Sequence, residues 1–488
     1  MKAFATPSAC HTTAHLKRRM RVFLPLALIL TGALLIERAS AQTFTVVHNF
    51  GARADDGTSP RAGLVLSGGT LYGTTLAGGS FDDGAVFAIG VDGTGITNLY
   101  SFTGYPDDGA SPYCDLVLSN NTLYGTAQQG GATDFGTVFI IDTNGTGFTN
   151  VHSCDFPSES GYPRSGLIFV NGKLYGTEIG NGNGSHGQGV VFALNTDGTG
   201  FTNVYSFSPV NNSTNSDGAV PFGGLVCSGN TLYGTTYYGG TSGYGTVFAV
   251  NTDGTGFTNL HNFTGGAAGS GPFCRLSLSG MDLYGTTSGS GLPGTGTVFR
   301  VHTDGTGFTN LHIFAAIDKT NSDGAYPYAG LLLTGHTLYG TAVFGGASGN
   351  GTIFTVNTDG TEFTNLHSFT ALSKSSLYSA STNSDGACPY GGLILSSNTL
   401  YGTASGGGAY SKGTIFSLFI PPPLTLVAAG PNMILSWPTN AVGFALQSTT
   451  NLASPVWTAV LPDPVVINGQ NTVTGSVSAT EQYYRLSR

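Results

Sequence analysis

The chain has 488 residues, of which 76 are glycine, 40% are hydrophobic and 9% are charged. A hydrophobic share of this size excludes an intrinsically disordered protein, because it is enough to fill a buried core. The formal net charge of -9 disfavours nucleic acid as a partner, since an acidic surface repels phosphate groups.

The first 41 residues have the pattern of an export signal. A basic segment at 17–21 precedes an apolar segment at 22–36, and Ala39-Ser40-Ala41 offers small residues to a signal peptidase. We therefore expect residues 1–41 to be a cleaved signal peptide. An uncleaved membrane anchor is the alternative, because the apolar segment approaches the length that spans a bilayer. The rest of the chain is predicted to have no transmembrane segment.

The main part of the chain is a repeat whose clearest mark is the tetrad Leu-Tyr-Gly-Thr. The tetrad occurs seven times, first at residue 71 and last at residue 400, at intervals of 51–62 residues. Each unit contains four short segments rich in Val, Thr, Phe and Tyr and bounded by Gly, Asn and Asp, which is typical of strands and turns. This pattern predicts an all-β fold, a seven-bladed β-propeller over residues 42–420.

The two ends of the repeat region complement each other. The last unit has three strands, the third at 413–418, and lacks a fourth. The first strand pattern beyond the signal, Phe44-Thr-Val-Val-His-Asn-Phe50, matches fourth strands such as Phe257-Thr-Asn-Leu-His-Asn-Phe263. We therefore predict that segment 44–50 completes the last blade and closes the ring, which removes two exposed sheet edges.

The repeat also carries a family resemblance. Its most telling segments are G-G-L-V-x-S-G-N-T-L-Y-G-T-T at 223–236 and G-T-V-F-A-V-N-T-D-G-T-G-F-T-N-L-H at 245–261. Over roughly residues 44–418 the chain resembles the GloVer (Gloeobacter/Verrucomicrobia) tandem repeat family of exported bacterial proteins. The resemblance implies export and repetition, and it implies no reaction.

The C-terminal part lacks the repeat. Residues 421–423 are three prolines, which predict a stiff linker because consecutive prolines favour an extended chain. Residues 424–488 are predicted to form a small β-sandwich-like domain, with strands at 433–437, 444–447, 456–459 and 483–486. A Trp in an early strand and two Tyr in the last one loosely resemble a fibronectin type III-like module. An adhesion or sorting role and a passive spacer both stay open.

Five cysteines lie beyond the predicted signal. Their odd number and irregular spacing do not predict a disulfide framework, and the lack of a Cys-x-x-Cys motif disfavours a structural zinc site. No strand–helix context accompanies the glycine-rich segments, so no cofactor is predicted.

The third repeat unit departs from the others. Glu178 stands where the other units have Thr or Ala, and Glu159 and His186 lie nearby in the sequence. Two carboxylates and an imidazole on one face would support general acid–base work on a glycosidic bond. Drift between units explains the same residues more simply.

Six of the seven connections between units place an acid four residues before a proline. We predict that these acids cap turns, because an Asp side chain accepts hydrogen bonds from nearby backbone N–H groups. Calcium binding is the alternative, although one carboxylate per blade is sparse for such a site. The six acids are Asp56, Asp108, Glu159, Asp217, Asp323 and Asp385, and Ala268 takes the seventh place.

The residue after each of these prolines is predicted to enter an inner strand near the mouth of the central channel. Five aromatics and two arginines at one opening would stack on sugar rings or bind an acidic group. The alternative is that they only pack between blades. The seven residues are Arg61, Tyr113, Arg164, Phe222, Phe273, Tyr328 and Tyr390.

These features favour a secreted or surface-displayed, non-enzymatic binding or scaffold protein. The expected partner is an extracellular polysaccharide or a cell-surface component, and the chain is expected to be a monomer. Variable loops on a rigid scaffold are where binding usually resides. The alternatives are a carbohydrate-active enzyme, a glycoside hydrolase or lyase, with its site on the third blade, and a purely structural surface component.

Overall fold

The computed structural model describes residues 42–487 except 157–158, 181–187, 290–294, 318–319, 374–380, 423, 440–442, 452–453 and 477–481. The predicted signal peptide, 1–41, and His186 lie outside the described residues. Strands dominate, and the only helical element in these ranges is a 3-10 turn at Gly266–Ala268. No helix of the described chain has the length and apolar character needed to cross a membrane.

Seven four-stranded antiparallel sheets build the repeat region of the described chain. We number them blades 1–7 and name their strands a–d in order across each sheet. The bounds of strands a–d are Val65–Ser67, Thr70–Thr75, Ala85–Gly90 and Thr97–Ser101 in blade 1; Val117–Ser119, Thr122–Ala127, Thr137–Asp142 and Thr149–Ser153 in blade 2; Ile168–Val170, Lys173–Glu178, Val190–Asn195 and Thr202–Ser206 in blade 3; Val226–Ser228, Thr231–Thr236, Thr246–Asn251 and Thr258–Asn262 in blade 4; Ser277–Ser279, Asp282–Thr287, Thr297–His302 and Thr309–Ile313 in blade 5; and Leu332–Thr334, Thr337–Ala342, Thr352–Asn357 and Thr364–Ser368 in blade 6.

Blade 7 joins the two ends of the repeat region. Its strands a–c are Ile394–Ser396, Thr399–Ala404 and Thr414–Phe419, and its strand d is Thr43–Asn49. The N-terminal strand pairs antiparallel with strand c, with Phe44 opposite Leu418 and His48 opposite Ile415. The predicted closure by segment 44–50 is therefore confirmed.

Side-chain packing and hydrogen bonding explain why the tetrad recurs, as the contacts in blade 4 illustrate. Leu232 is fully buried, and Gly234 lies opposite Phe248 of strand c. A Cβ atom on Gly234 would lie 2.6 Å from Cζ of Phe248, so only glycine lets the phenyl ring lie across strand b. The Thr235 hydroxyl donates to the Cys274 carbonyl of blade 5 at 3.1 Å. The same threonine position ties every blade to the next.

Seven clusters of buried apolar side chains hold the ring together. Each cluster combines residues of two neighbouring blades, from blades 1 and 2 round to blades 7 and 1. The last cluster packs Phe50 and Ile415 of blade 7 against Leu71 and Phe87 of blade 1. The chain therefore forms a closed β-propeller, and the predicted all-β propeller fold is confirmed.

Two short strand pairs and the C-terminal region complete the described structure. The pairs are Gly57–Thr58 with Ala77–Gly78 and Gly109–Ala110 with Gln129–Gly130. The C-terminal region has a sheet of Thr425–Ala429, Asn432–Pro438, Gln470–Ser476 and Val465–Ile467 and a sheet of Thr458–Ala459, Ala445–Thr449 and Tyr483–Ser487. Buried Leu435 and Trp437 belong to its core, as a sandwich-like fold requires. That 424–488 folds independently stays a prediction.

Candidate functional site

The seven residues predicted at the channel mouth lie around one cavity. Each of them comes from a different blade, just before strand a, and all seven line the same cavity together with Asp115 and Arg275. Only a closed ring of blades brings seven chain segments this far apart in sequence to one opening. We call these seven side chains, Arg61, Tyr113, Arg164, Phe222, Phe273, Tyr328 and Tyr390, the mouth ring.

One half of the mouth ring alternates arginine and aromatic side chains. The Arg61 guanidinium lies 4.7 Å from the Tyr390 ring centroid and 5.4 Å from that of Tyr113. The Arg164 guanidinium lies 4.2 Å from the centroid of Tyr113 and 5.0 Å from that of Phe222. Such cation–π contacts hold the guanidinium planes in place without neutralising their charge.

The other half of the mouth ring is aromatic throughout. Phe222 stacks on Phe273 with ring centroids 4.5 Å apart, and Phe273 meets Tyr328 edge-on at 5.2 Å. Tyr328 in turn stacks on Tyr390 at 5.6 Å. Each member of the mouth ring therefore contacts the next, and the ring is continuous around the opening.

Both arginines keep hydrogen-bonding capacity. The Nη1 atom of Arg61 donates to the Tyr113 hydroxyl at 3.4 Å. The Nε atoms of Arg61 and Arg164 are buried and have no hydrogen-bond partner among the described residues. Burial and the surrounding tyrosines raise the pKa of Tyr328 to about 12, so its hydroxyl stays protonated and able to donate at neutral pH.

The cavity inside the mouth ring is small. Its volume is about 90 Å³, whereas pockets that enclose a drug-sized ligand measure roughly 300–1,000 Å³. The opening can therefore accept a small group, such as a carboxylate, whereas a larger ligand would lie outside it, against the rim of the mouth ring.

The six acids of the connections have defined partners. Asp323 Oδ2 accepts the backbone N–H of Ala315 at 3.1 Å, as a turn cap does, and lies 2.9 Å from His312 Nε2 of strand d. The sequence did not predict this second contact, with the His or Tyr of strand d, which recurs in every connection that has an acid. The pairs are His48–Asp56, Tyr100–Asp108, His152–Glu159, Tyr205–Asp217, His312–Asp323 and His367–Asp385.

Six His and Tyr rings of strand d, five of them paired with an acid and the sixth His261, also pack against the next blade. The His312 ring stacks on Phe363 of blade 6 with centroids 3.5 Å apart, and equivalent stacks occur at five other junctions. Because N–H and O–H donors face the carboxylate oxygens, these acids are arranged as structural acceptors. This geometry supports loop capping over calcium binding.

The connection after blade 4 lacks the acid. His261 occupies the strand d position and stacks on Phe308 at 3.6 Å, but Ala268 stands where the carboxylate would be. The Nε2 atom of His261 is buried without a hydrogen-bond partner in the described part of the chain. Burial lowers the pKa of His261 to about 4, so the ring is neutral at physiological pH.

The structure brings Glu159 and Glu178 to the junction of blades 2 and 3. Glu178 is fully buried, and its Oε2 accepts the backbone N–H groups of Ser160 and Gly161 at 2.9 and 2.8 Å. Burial raises the pKa of Glu178 to about 7. Glu159 lies 2.9 Å from His152 Nε2. The fully buried carboxyl of Glu178 cannot contact a polysaccharide, so this geometry offers little support for acid–base catalysis at the junction of blades 2 and 3.

Comparison with known proteins bears on the family of the chain. The family model described as Gloeobacter/Verrucomicrobia repeat matches residues 32–216, 210–380 and 316–427. No curated protein matches this chain.

The solved structures that match the chain share little sequence with it. They include an oligogalacturonate lyase from Vibrio parahaemolyticus (9% identity, 78% of this chain and 93% of that chain, TM-score 0.45). An extracellular domain of a putative one-component system from B. thetaiotaomicron has 12% identity over 85% of this chain and 47% of that chain, with a TM-score of 0.45. A puromycin-hydrolyzing peptidase from Mycobacterium tuberculosis has 10% identity over 80% of this chain and 60% of that chain, with a TM-score of 0.46. Because the family model covers more than half of the sequence, the chain belongs to the Gloeobacter/Verrucomicrobia repeat family.

Proposed function

We propose that this protein is an exported, non-enzymatic binding propeller, and that the mouth ring binds a carbohydrate bearing an anionic group. The observation that carries the proposal is the continuous ring of five aromatics and two arginines around one opening. Seven different blades supply it, so the binding surface is as rigid as the propeller itself.

The aromatic half supplies the surface for sugar rings. Stacked and edge-on contacts fix Phe222, Phe273, Tyr328 and Tyr390, so little side-chain freedom is lost when a ligand binds. Flat aromatic faces pack against the apolar faces of sugars, and a protonated tyrosine hydroxyl can donate to a sugar oxygen.

The arginine half supplies the preference for an anion. Arg61 and Arg164 form no ion pair with a carboxylate of the described chain, and each keeps a buried Nε without an acceptor. A guanidinium binds a carboxylate through two parallel hydrogen bonds. The cavity is lined by these two arginines, by Arg275 and by one acid, Asp115, so it forms a local positive site in a chain of net charge -9 and suits the acidic end of a glycan.

The test separates binding from packing. A glycan array carrying neutral and uronic-acid oligosaccharides is probed with the chain from residue 42 onward and with the variant Arg61→Gln/Arg164→Gln. We expect the wild type to retain acidic glycans and the variant to lose them with an unchanged melting midpoint. The control Arg53→Gln removes an exposed arginine that pairs with Asp55 and should bind as the wild type does. Equal binding by wild type and double variant would refute the proposal.

The same array addresses the enzymatic alternative. A binding protein leaves its ligand intact, so glycans eluted after incubation should have unchanged mass. Cleaved products that disappear in the variant Glu159→Gln would favour the glycoside hydrolase or lyase instead.

A further inference from the structure

The junction of blades 2 and 3 differs from the other six in two facing positions. Elsewhere the residue after strand d is Phe, and the last residue of the next strand b is Thr or Ala. Here these residues are Cys154 and Glu178, so a large–small pair has become a small–large pair. The other pairs are Phe50/Thr75, Phe102/Ala127, Phe207/Thr236, Phe263/Thr287, Phe314/Ala342 and Phe369/Ala404.

The paired exchange adds a thiol to the His–acid pair of this junction, which makes a cluster of three metal-binding side chains, and places a fourth, Glu178, beside the thiol. His152 Nε2 lies 2.9 Å from Glu159 Oε2, and the ligand atoms of His152, Cys154 and Glu159 all lie within 4.8 Å of one another. The Glu178 carboxyl interacts with the Cys154 thiol from the opposite blade. These residues come from the end of blade 2, the following connection and strand b of blade 3.

Cys154 leaves a space where the other junctions have a phenyl ring. The need to fill this space does not explain why residue 178 is a glutamate. An apolar side chain would fill that space without desolvating a charge, whereas burying a carboxyl group carries a cost unless every oxygen is satisfied. Cys154 and Glu178 are both fully buried. Apart from the adjacent Cys154 thiol, which is only a weak donor, the Oε1 atom of Glu178 has no hydrogen-bond partner within the described ranges.

We propose that His152, Cys154, Glu159 and Glu178 bind a divalent transition-metal ion of the zinc class, which ties blade 2 to blade 3. Imidazole, thiolate and carboxylate are zinc ligands, whereas calcium takes oxygen ligands alone. Zinc bonds of about 2.0–2.3 Å place ligand atoms roughly 3–4 Å apart, so small side-chain rotations suffice for His152, Cys154 and Glu159, and a rotation of the Glu178 carboxyl would complete the set. Binding releases the thiol proton to solvent, and no electron is transferred.

The experiment uses the chain from residue 42 onward, stripped with a chelator, loaded with Zn²⁺ or Co²⁺ and gel-filtered. We expect one metal ion per chain by elemental analysis, a thiolate-to-cobalt charge-transfer band, and a melting midpoint that the chelator lowers. The variant Cys154→Phe/Glu178→Thr restores the pair found at the other junctions. It should fold, retain no metal and melt independently of the chelator.

Two single variants complete the design. Cys154→Ser keeps the size of the side chain and should abolish the charge-transfer band even if the double variant folds poorly. Cys274→Ala removes a buried cysteine of blade 5 and should retain metal and band. The proposal is overturned if the wild type retains no more metal than Cys154→Phe/Glu178→Thr, or if the band persists in Cys154→Ser.

Discussion

Giving His261 the acid that its blade lacks should change the acid stability of the propeller. The connection from His261 to Ala268 has the same length as the one from His152 to Glu159, where the acid pairs with the ring at 2.9 Å. The variant Ala268→Glu should therefore place a carboxylate against the unpartnered Nε2 of His261.

The magnitude follows from the proton linkage of one histidine. Its pKa is about 4 in the folded chain and 6.5 when unperturbed, so the unfolded chain binds more protons between these values. The free energy of unfolding of the wild type therefore decreases as pH falls through this window. The loss due to His261 is about 2 kcal/mol at pH 5 and roughly 3 kcal/mol at pH 4. In Ala268→Glu the pKa should rise above 6.5, so that the histidine contribution is present below 6.5 and is lost only as pH rises through the new value.

The assay is an NMR titration of the histidine ring signals, assigned with His261→Gln, followed by thermal melts at pH 5 and pH 8. With an unfolding entropy of about 2.1 cal/mol/K per residue, recovering about 2 kcal/mol at pH 5 should raise the melting midpoint of Ala268→Glu by roughly 2 °C above that of the wild type. The gain should be smaller at pH 8. Ala268→Gln controls for side-chain size without charge. A wild-type His261 that titrates near 6.5, or an unchanged titration in Ala268→Glu, would refute the reasoning.

Three further outcomes are expected. Deleting residues 43–50 removes strand d of blade 7 and buried Phe50, so the midpoint should fall far below that of the chain from residue 42 onward; an unchanged midpoint would contradict closure. Melting with a phosphine reductant should match melting without it, because the five described cysteines are unpaired, and a large loss would contradict this. Limited proteolysis should cut within 421–423 and release a small fragment from a stable core. Degradation of both parts together would indicate a single packed unit.

The sequence predicted the propeller and its mouth ring because both repeat. The tetrad marks strand b in every unit. The proline of each connection stands at a constant distance before the tetrad, so the residue after it occupies the same place in every blade. Arg61 and Tyr390 could therefore be placed at one opening although they are 329 positions apart. The missing fourth strand in the last unit likewise indicated its partner at the other end of the chain.

The contacts between units were harder to predict. Connections of different length hid the pairing of the strand d rings with the acids, although the unit that lacks an acid still carries His261. Zinc-site motifs are recognised in a sequence by ligands at short, regular spacing. The proposed ligands Cys154 and Glu178 come from different blades, so no such motif indicated them. The only signal was that both depart from the repeat at once. In the C-terminal region, strands 425–429, 465–467 and 470–476 went unpredicted because no repeat marks them.

The most direct test of the mouth ring as a binding site is a calorimetric titration of the strongest glycan of the array. It compares the wild type with Tyr113→Ala/Tyr328→Ala/Tyr390→Ala, which removes three stacking faces and leaves both arginines. We predict measurable affinity in the wild type and its loss in the variant, at the same melting midpoint. Unchanged affinity in the folded variant, or a collapse of its stability with no glycan bound by the wild type, would contradict the account and leave these residues as packing between blades.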